Sequence, residues 1–123
     1  MRVLCIDDDP LNREVVRSML AVAGAQGVDA ADAEAGLALI DAEDFEAVLM
    51  DLRMPGMDGL TAVRRVRGRG DAKAGMPIIA VTADTGPHVK DQCLEAGADD
   101  ALHKPITMTA LFQALGQAMA RRS

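Results

Sequence analysis

The side chains in this sequence that are best suited to chemistry stand where apolar runs end. Asp51 follows the run at 47–50, and an acid cluster at 7–9 follows the first run of the chain. Thr82 and Lys104 stand at the ends of two later runs. An apolar run that ends in a polar residue and a turn is typical of a buried strand. Carboxylates, a hydroxyl and an ammonium group, if brought together, suit a divalent cation and a phosphoryl group.

The hydrophobic pattern alternates between strand-like and helix-like segments. It predicts five strands, at 3–6, 26–30, 45–50, 76–81 and within 98–103. A helix is predicted after each strand. The first four helices begin near Pro10, Asp32, Asp58 and Pro87, and the fifth is marked by its apolar residues Met108, Leu111, Leu115 and Met119. Such alternation implies a parallel sheet covered on both faces, with right-handed crossovers. We predict an α/β fold with a single doubly wound five-stranded sheet, five helices and strand order 2-1-3-4-5.

That strand order has a consequence for the reactive side chains. The carboxyl ends of parallel strands lie at one edge of a sheet, and ligands bind in the crevice where the strand order reverses. Here that crevice lies between the first and third predicted strands. The four scattered features are therefore expected to form one site.

Local signals predict the ends and faces of the helices. Asp9 is the predicted N-cap of the first helix, with Pro10 at its first position and Gly24 at its end. Apolar residues recur there at helical spacing, namely Leu11, Val15, Met19 and Val22, with Val16 and Leu20 beside them. In the fourth helix the predicted inner positions are Val89, Cys93 and Leu94. Residues 68–75 are predicted to form a flexible polar loop.

Length and composition narrow the function classes. The chain has 123 residues, 50% of them hydrophobic, and we expect one domain spanning 1–123. The formal net charge of −6 argues against a general nucleic-acid binder. There is no signal peptide and no apolar run near the ~20 residues of a membrane span, so we expect a soluble cytoplasmic protein without a membrane partner. Cys5 and Cys93 are expected to be small core residues rather than a disulfide.

The acid cluster suggests a site for a hard cation. Asp7 and Asp8 would point to opposite faces of a regular strand, but a bend at the strand end lets both converge. Converging carboxylates repel one another unless a cation or protons intervene. Oxygen ligands with room for water suit Mg²⁺ or Mn²⁺. The plainer hypothesis, that the acids only cap the first helix, explains Asp9 well and the other two poorly.

From its residue type, Asp51 has three open roles: a third metal ligand, a general base, or a nucleophile that forms an aspartyl-phosphate. The hydroxyl of Thr82 could donate to a phosphoryl oxygen. Lys104 precedes Pro105, which disfavours a helix there and lets the ammonium reach the crevice as a mobile charge. Taken singly, Thr82 would be an ordinary strand threonine and Lys104 a solvated lysine. Their combination with the acids supports a functional role.

The sequence resembles the receiver domain of two-component response regulators over essentially its whole length. Four motifs carry the resemblance: Val3-Leu4-Cys5-Ile6-Asp7-Asp8, Met50-Asp51-Leu52-Arg53-Met54-Pro55-Gly56-Met57-Asp58-Gly59, Val81-Thr82-Ala83, and Gly97-Ala98-Asp99-Asp100-Ala101-Leu102-His103-Lys104-Pro105. It implies a flavodoxin-like fold. It also implies a signalling domain, either stand-alone or from a hybrid histidine kinase, that catalyses its own phosphorylation and dephosphorylation but is not a conventional enzyme.

The resemblance implies a role for each matching acid. Asp51 would accept a phosphoryl group from a phosphohistidine on a histidine kinase or a histidine phosphotransfer protein. Asp7 and Asp8 would hold Mg²⁺ together with Asp51, and the backbone carbonyl of Arg53 would complete the protein ligands. The protein would act through a downstream protein partner, as a monomer or weak dimer, without contacting nucleic acid.

The resemblance also implies how a switch would work. Thr82 would bond the phosphoryl group and move with it, while Lys104 would pair with Asp51 before phosphorylation and with the phosphoryl group afterwards. The contact surface would be the fourth helix, fifth strand and fifth helix, near 87–121. Many receivers carry an aromatic switch residue where this chain has Ala101. A rotating ring therefore cannot report phosphorylation here.

Arg53 and Asp84 stand two positions after Asp51 and Thr82 respectively. In the family that the sequence resembles, these positions flank the phosphoryl group and tune its hydrolysis. We hypothesise that their opposite charges pair across the entrance of the crevice and set the lifetime of the phosphorylated state. The alternative is that both side chains are simply solvated.

Two other functions are weighed against the phosphoacceptor. One is a receiver that binds protein without phosphorylation. The loss of one of the acids or of Lys104 would favour that function, but the sequence keeps all of them. The other is an aspartate-nucleophile phosphohydrolase, which needs a second acid two residues after the nucleophile as general acid/base. The residue there is Arg53.

Remaining basic and methionine residues are predicted to lie on the surface. The basic residues within 64–69 and at 121–122 are interpreted as solvated helix ends rather than a nucleic-acid site. Met54, Met57 and the loop at 85–87 could form a docking surface for a helical phosphodonor, since methionine adapts to varied partners.

Overall fold

One parallel sheet runs through the middle of the structure, a computed structural model that describes residues 1–122. Its strands are β1 (Arg2–Ile6), β2 (Gln26–Ala30), β3 (Ala47–Asp51), β4 (Ile78–Thr82) and β5 (Asp100–His103). The helices are α1 (Pro10–Val22), α2 (Ala33–Ala42), α3 (Gly59–Arg67), α4 (Val89–Ala96) and α5 (Met108–Arg122), and a short 3₁₀ helix spans Ala72–Gly75. The strand order in this part of the chain is β2-β1-β3-β4-β5, with every pair parallel. The predicted fold class and strand order are confirmed.

Alternate residues of the strands pack into two hydrophobic cores, one on each face of the sheet. Val48 and Ile78 belong to the core that α2, α3 and α4 cover. Leu49 and Ile79 belong to the core that α1 and α5 cover. Every residue of β3 and β4 is buried. Burial on both faces explains why these strands are continuous apolar runs instead of alternating ones.

Three helix ends follow local signals in the sequence. Asp9 caps α1 by accepting a hydrogen bond from a backbone N–H of the first turn, and Pro10 is the first helical residue. Gly97 ends α4 with a φ of 117°, a left-handed conformation that strains residues with a Cβ. α1 ends shortly before Gly24, which has a φ of 75°.

The predicted face of α4 is partly wrong. The helix begins at Val89 instead of Pro87. Leu94, predicted as an inner position, is 42% exposed, while Cys93 and Ala96 are buried. Because the helix is only two turns long, a small error in its start changes which side chains face the sheet.

Of the two adjacent apolar stripes on α1, only one packs on the sheet. Val16 and Leu20 are buried, whereas Leu11, Val15 and Val22 are exposed. Spacing alone did not distinguish the stripes, because both fit the helical period.

The segment 68–75 is more ordered than predicted. Ala72–Gly75 forms the 3₁₀ helix, and the carboxylate of Asp71 caps it by accepting from the backbone N–H of Lys73. The Lys73 ammonium donates to the carbonyl of Glu43 at 3.1 Å. These bonds tie the segment to the end of α2, so the prediction of a flexible loop is wrong.

The prediction of solvated basic helix ends is wrong for Arg67 and Arg122. Nη1 of Arg67 donates to the carbonyls of Ala74 at 2.8 Å and Met76 at 2.6 Å, and Nη2 donates to Asp99 at 3.2 Å. Nε of Arg122 also donates to Asp99, at 2.7 Å. Asp99 is 6% exposed. A buried charge cluster therefore joins α3 and α5 to the residue before β5.

Cys5 and Cys93 are free and buried, as predicted for small core residues. Burial raises the pKa of the Cys5 thiol to about 12, so this group stays protonated at neutral pH. None of the helices within residues 1–122 combines the length and the hydrophobicity needed to cross a membrane.

Candidate functional site

Asp51 is the last residue of β3, at the edge of the sheet where the strand leaves the core. It is 4% exposed, and one carboxylate oxygen accepts from the backbone N–H of Arg53 at 3.3 Å. The start of α3 lies so close to the Asp51 backbone that a Cβ on Gly59 would come within 2.3 Å of the Asp51 carbonyl oxygen. Only glycine permits that approach. The turn and helix after β3 thus hold the carboxylate in place.

Asp7 and Asp8 come directly after β1, at the same edge of the sheet. The backbone N–H of Asp7 donates to Ala30 of β2 at 3.1 Å, while its carboxylate accepts from the backbone N–H of Asp9 at 2.9 Å. One carboxylate oxygen from each of Asp7, Asp8 and Asp51 lies within 4.8 Å of the others. The structure therefore brings together the three acids that the sequence placed at strand ends.

Lys104 follows β5 and reaches into the same crevice. Its backbone N–H donates to the carbonyl of Thr82 at 2.8 Å, which continues the pairing of β4 with β5. Its Nζ lies 3.2 Å from a carboxylate oxygen of Asp51 and 3.3 Å from one of Asp7. The side chain is 23% exposed. The ammonium therefore bridges two acids in a position partly shielded from water.

Thr82 is the last residue of β4 and is buried. Its hydroxyl oxygen accepts from the backbone N–H of Asp84 at 2.9 Å. A hydroxyl that accepts in this way can still donate through its own hydrogen. Thr82 can therefore donate to an anion in the crevice while it remains bonded to the loop between β4 and α4.

Carboxylates dominate the electrostatics of the crevice. Burial and the neighbouring Asp7 raise the pKa of Asp51 above its ordinary value, and Lys104 opposes that rise only in part. Burial lowers the pKa of the Lys104 ammonium, but Asp51 and Asp7 outweigh it, so that pKa is raised overall. One ammonium does not balance the acids, and the crevice keeps negative charge that a cation would neutralise.

The donor set fits a hard divalent cation. Asp8 is exposed, which leaves room for water ligands beside the buried Asp51. Carboxylate oxygens and waters are the ligands that Mg²⁺ prefers. Exposed acids often cluster without an ion, so the feature that favours a cation here is the unbalanced charge around a buried carboxylate.

Arg53 and Asp84 form an ion pair at the mouth of the crevice, with 2.9 Å between Nη2 and Oδ2. The other oxygen of Asp84 accepts from the backbone N–H of Gly86 at 2.9 Å. That hydrogen bond and Arg53 lower the pKa of the Asp84 carboxyl below its usual range. The pairing hypothesised from the sequence is present, and the two loops that flank Asp51 are connected through it.

The methionine docking surface predicted from the sequence is wrong in part. Met54 is 9% exposed and belongs to the core that α2, α3 and α4 cover, and Met57 is half-buried against the same core. The turn after β3 folds back onto the sheet, so these side chains complete the core at its edge.

Sequence reasoning missed Arg13. Its Nη1 donates to the backbone carbonyl of Asp7 at 2.6 Å, directly behind the acid cluster. In the sequence it is one of several charged residues in an amphipathic helix. The pattern contains no signal that distinguishes it, because the contact depends on how α1 packs against the end of β1.

Comparison with known proteins identifies relatives over nearly the whole chain. Residues 3–116 match the family model of the response regulator receiver domain. The chain is 39% identical to the sensor protein GacS of Pseudomonas syringae pv. syringae, over 91% of this chain and 13% of that protein. It is 41% identical to the two-component response regulator ORR41 of Oryza sativa subsp. japonica, over 90% of this chain and 88% of that protein. The chain thus spans a small part of the sensor proteins that it matches.

Solved structures share the fold. A putative response regulator from Chloroflexus aurantiacus matches with a TM-score of 0.91 and 32% identity, over 98% of each chain. The receiver domain of the sensor histidine kinase PA1611 from Pseudomonas aeruginosa matches with a TM-score of 0.86 and 31% identity, over 97% of each chain. That structure has a magnesium ion coordinated in its active site cleft.

Proposed function

Because the chain belongs to the response regulator receiver family, we propose that its residues 1–123 are a phosphoaccepting signalling domain of a two-component system, with Asp51 as the acceptor. One observation carries this proposal. The Asp51 carboxylate is buried at a strand end, 3.2 Å from the Lys104 ammonium and beside two further acids. A neighbouring positive charge favours the approach of an anionic phosphoryl group to a nucleophilic carboxylate.

In the proposed reaction, a carboxylate oxygen of Asp51 attacks the phosphorus of a phosphohistidine on a histidine kinase or a histidine phosphotransfer protein. A P–O bond forms as the P–N bond breaks, and the leaving imidazole nitrogen keeps the electron pair and takes a proton from water. In dephosphorylation, water attacks the phosphorus, the P–O bond to Asp51 breaks, and the carboxylate and inorganic phosphate are released.

Asp7, Asp8 and Asp51, with the backbone carbonyl of Arg53, are the proposed ligands of Mg²⁺, for which Mn²⁺ could substitute. When bound, the cation would neutralise and orient the phosphoryl oxygens. The magnesium ion in the cleft of the Pseudomonas aeruginosa receiver domain supports this assignment. The convergence of three carboxylates beside one bridging ammonium supports it independently.

Thr82 and Lys104 are the proposed switch. Lys104 would transfer its contact from Asp51 to the phosphoryl group, and the Thr82 hydroxyl would donate to a phosphoryl oxygen. Because that hydroxyl is bonded to the backbone N–H of Asp84, its movement would shift the loop between β4 and α4. We assign the contacts with a downstream protein to the face formed by α4, β5 and α5. The domain would act as a monomer or weak dimer, without contacting nucleic acid.

The alternatives have less support. A phosphohydrolase on this fold would need a second acid two residues after Asp51. The residue at that position is Arg53, whose side chain pairs with Asp84 at the mouth of the crevice. A receiver that works without phosphorylation would have no use for three converging acids, two of which are bridged by Lys104. We therefore propose a phosphoacceptor rather than a turnover enzyme.

The proposal can be tested by intact mass after incubation with a small phosphodonor and Mg²⁺. Wild type should gain one phosphoryl group, and Asp51→Asn should gain none while remaining folded. Asp44→Asn is the matched control, because the Asp44 side chain is 99% exposed and precedes β3, the strand that Asp51 ends. A chelator should block uptake by wild type. Uptake by Asp51→Asn at the wild-type stoichiometry would disprove the acceptor assignment, and uptake without metal would disprove the role of Asp7 and Asp8.

A further inference from the structure

The backbone of Asp7 is held on both sides as the chain leaves β1. Its N–H donates to Ala30 of β2 at 3.1 Å. Its carbonyl accepts from Nη1 of Arg13 at 2.6 Å. Arg13 belongs to α1, and its side chain is 16% exposed. A partly buried guanidinium thus holds the peptide that joins Asp7 to Asp8.

Asp29 holds that guanidinium in turn. It lies on the edge strand β2, in register with Cys5 of β1. Its carboxylate oxygens lie 3.5 Å from Nε of Arg13 and 3.4 Å from Nε of Arg17. Arg13 Nε and Asp29 Oδ1 are buried and make no hydrogen bond within the described residues. The pair is therefore held by charge, and the hydrogen-bonding contact of Arg13 is with the Asp7 carbonyl.

The orientation of this peptide matters for the acids on either side of it. Neighbouring side chains on a strand point to opposite faces, so Asp7 and Asp8 converge only if the peptide between them is turned out of the strand geometry. The peptide is planar, so a donor fixed on its carbonyl fixes the direction of the whole unit. Arg13 supplies that donor from α1.

We propose that Arg13 is a positioning residue for the cation site and that Asp29 anchors it. This inference rests on the proposed function, because it takes Asp7 and Asp8 as Mg²⁺ ligands. The guanidinium suits the role because its planar fork can donate to the Asp7 carbonyl while its charge stays beside Asp29, a geometry that a flexible ammonium does not fix. Arg13 acts through the Asp7 peptide and does not contact the cation or the phosphoryl group.

The test is Mg²⁺ binding by calorimetric titration, with no phosphodonor present. Arg13→Ala and Arg13→Lys are both expected to weaken Mg²⁺ binding about tenfold, the usual effect of losing an outer partner of a metal ligand. If Arg13 acted only through its positive charge, Arg13→Ala would strengthen binding and Arg13→Lys would leave it unchanged. The two variants therefore separate geometry from charge.

Arg17→Ala is the matched control. It removes the other cation beside Asp29, and the side chain is 47% exposed. Its effect on Mg²⁺ affinity should stay within about twofold, because exposed pairs contribute little. Asp29→Asn keeps the size of the anchor but removes its charge, and it should weaken Mg²⁺ binding. Arg13→Lys, which keeps the charge, decides the question if Arg13→Ala does not fold.

Two results would overturn the inference, and they differ in what else they overturn. Wild-type Mg²⁺ affinity in folded Arg13→Ala and Arg13→Lys would exclude the positioning role and leave the proposed function standing. No Mg²⁺ binding by wild type would overturn the proposed cation site, and this inference with it. Thermal midpoints without metal, measured for every variant, distinguish a local effect on Asp7 and Asp8 from a general loss of stability.

Discussion

The guanidinium of Arg53 lies 2.9 Å from the carboxylate of Asp84, so the turn after β3 and the loop after β4 are connected across the mouth of the crevice. We hypothesise that this pair limits the access of water to a phosphoryl group on Asp51. We predict that Arg53→Ala and Asp84→Ala each speed dephosphorylation, and that the double variant is no faster than the faster single variant. Because exposed ion pairs are weak, the effect should be at most about fivefold.

The measurement is the decay of the phosphorylated mass after the donor is removed. Wild-type rates in all three variants would exclude the gate. Effects that multiply in the double variant would show that the two residues act independently, since a shared interaction makes double-mutant effects non-additive.

We expect Lys104 to compete with a cation for the same carboxylates. Its ammonium lies 3.2 Å from Asp51 and 3.3 Å from Asp7. Lys104→Met removes this charge, so the carboxylates interact with the cation alone. We predict that Mg²⁺ binds about tenfold more tightly, because the corresponding free energy is a modest fraction of the Coulomb energy between close charges. Calorimetric titration measures it. Lys90→Met, which removes an exposed ammonium paired with Asp100, should leave the affinity unchanged.

We also expect Lys104→Met to accept a phosphoryl group on Asp51 yet lose its effect on a protein partner, since no ammonium remains to move from the carboxylate to the phosphoryl group. Unchanged Mg²⁺ affinity would show that the lysine does not compete for the site. Normal signalling by the phosphorylated variant would show that the lysine is not the coupling element.

Asp58, the N-cap of α3, should make the free energy of unfolding depend on pH. Its carboxylate accepts from the backbone N–H of Thr61 at 2.8 Å, and this bond lowers the pKa of Asp58 in the folded protein. A lowered folded-state pKa stabilises the fold above the unfolded pKa of about 3.9, and that stability is lost as pH falls through the folded-state pKa. Asp58→Ala should cost about 1 kcal/mol at neutral pH.

Urea unfolding of wild type and Asp58→Ala between neutral pH and pH values below 4 measures this contribution. The difference in unfolding free energy should shrink at the acid end. Asp58→Asn is the control, because asparagine caps helices without titrating in this range. A constant difference across the whole pH range would contradict the role of the charged cap.

Asp99 should be a larger determinant of stability than any residue of the crevice. Its carboxylate accepts from the backbone N–H of Ile78 at 2.9 Å and from the side chains of Arg67 and Arg122. Burial and the nearby Arg122 lower the pKa of Arg67, and Asp99 opposes that effect. Asp99→Ala leaves a buried guanidinium unpaired, and we predict a loss of about 3 kcal/mol in unfolding free energy.

The adjacent Asp100→Ala is the matched control for Asp99→Ala. Asp100 pairs with Lys90, whose side chain is 61% exposed, so the substitution should cost less than about 1 kcal/mol. Chemical denaturation of both variants gives the comparison. Equal losses of unfolding free energy would show that the buried cluster contributes no more to stability than an exposed ion pair does.

Much of the fold could be predicted because its signals are local. Apolar runs that end in polar residues placed Asp51, Thr82 and Lys104 at strand ends, and the rules for parallel sheets then brought those ends to one edge. Cap signals worked for the same reason, since Asp9 bonds a residue in the next turn. Errors arose at α4, where a two-turn helix left the spacing ambiguous.

By itself, therefore, the sequence determined the strand order, the reactive groups at the sheet edge and the family that they indicate. The tertiary structure alone decided which charged side chains are buried and what they hold. Arg67 meets Asp99, and Arg13 meets both Asp29 and the Asp7 carbonyl. Long side chains reach partners on other elements, and those partners are set by how helices pack on the sheet. The hydrophobic periodicity does not encode that packing, because an arginine occupies the same position in the helical pattern whether its guanidinium is solvated or buried.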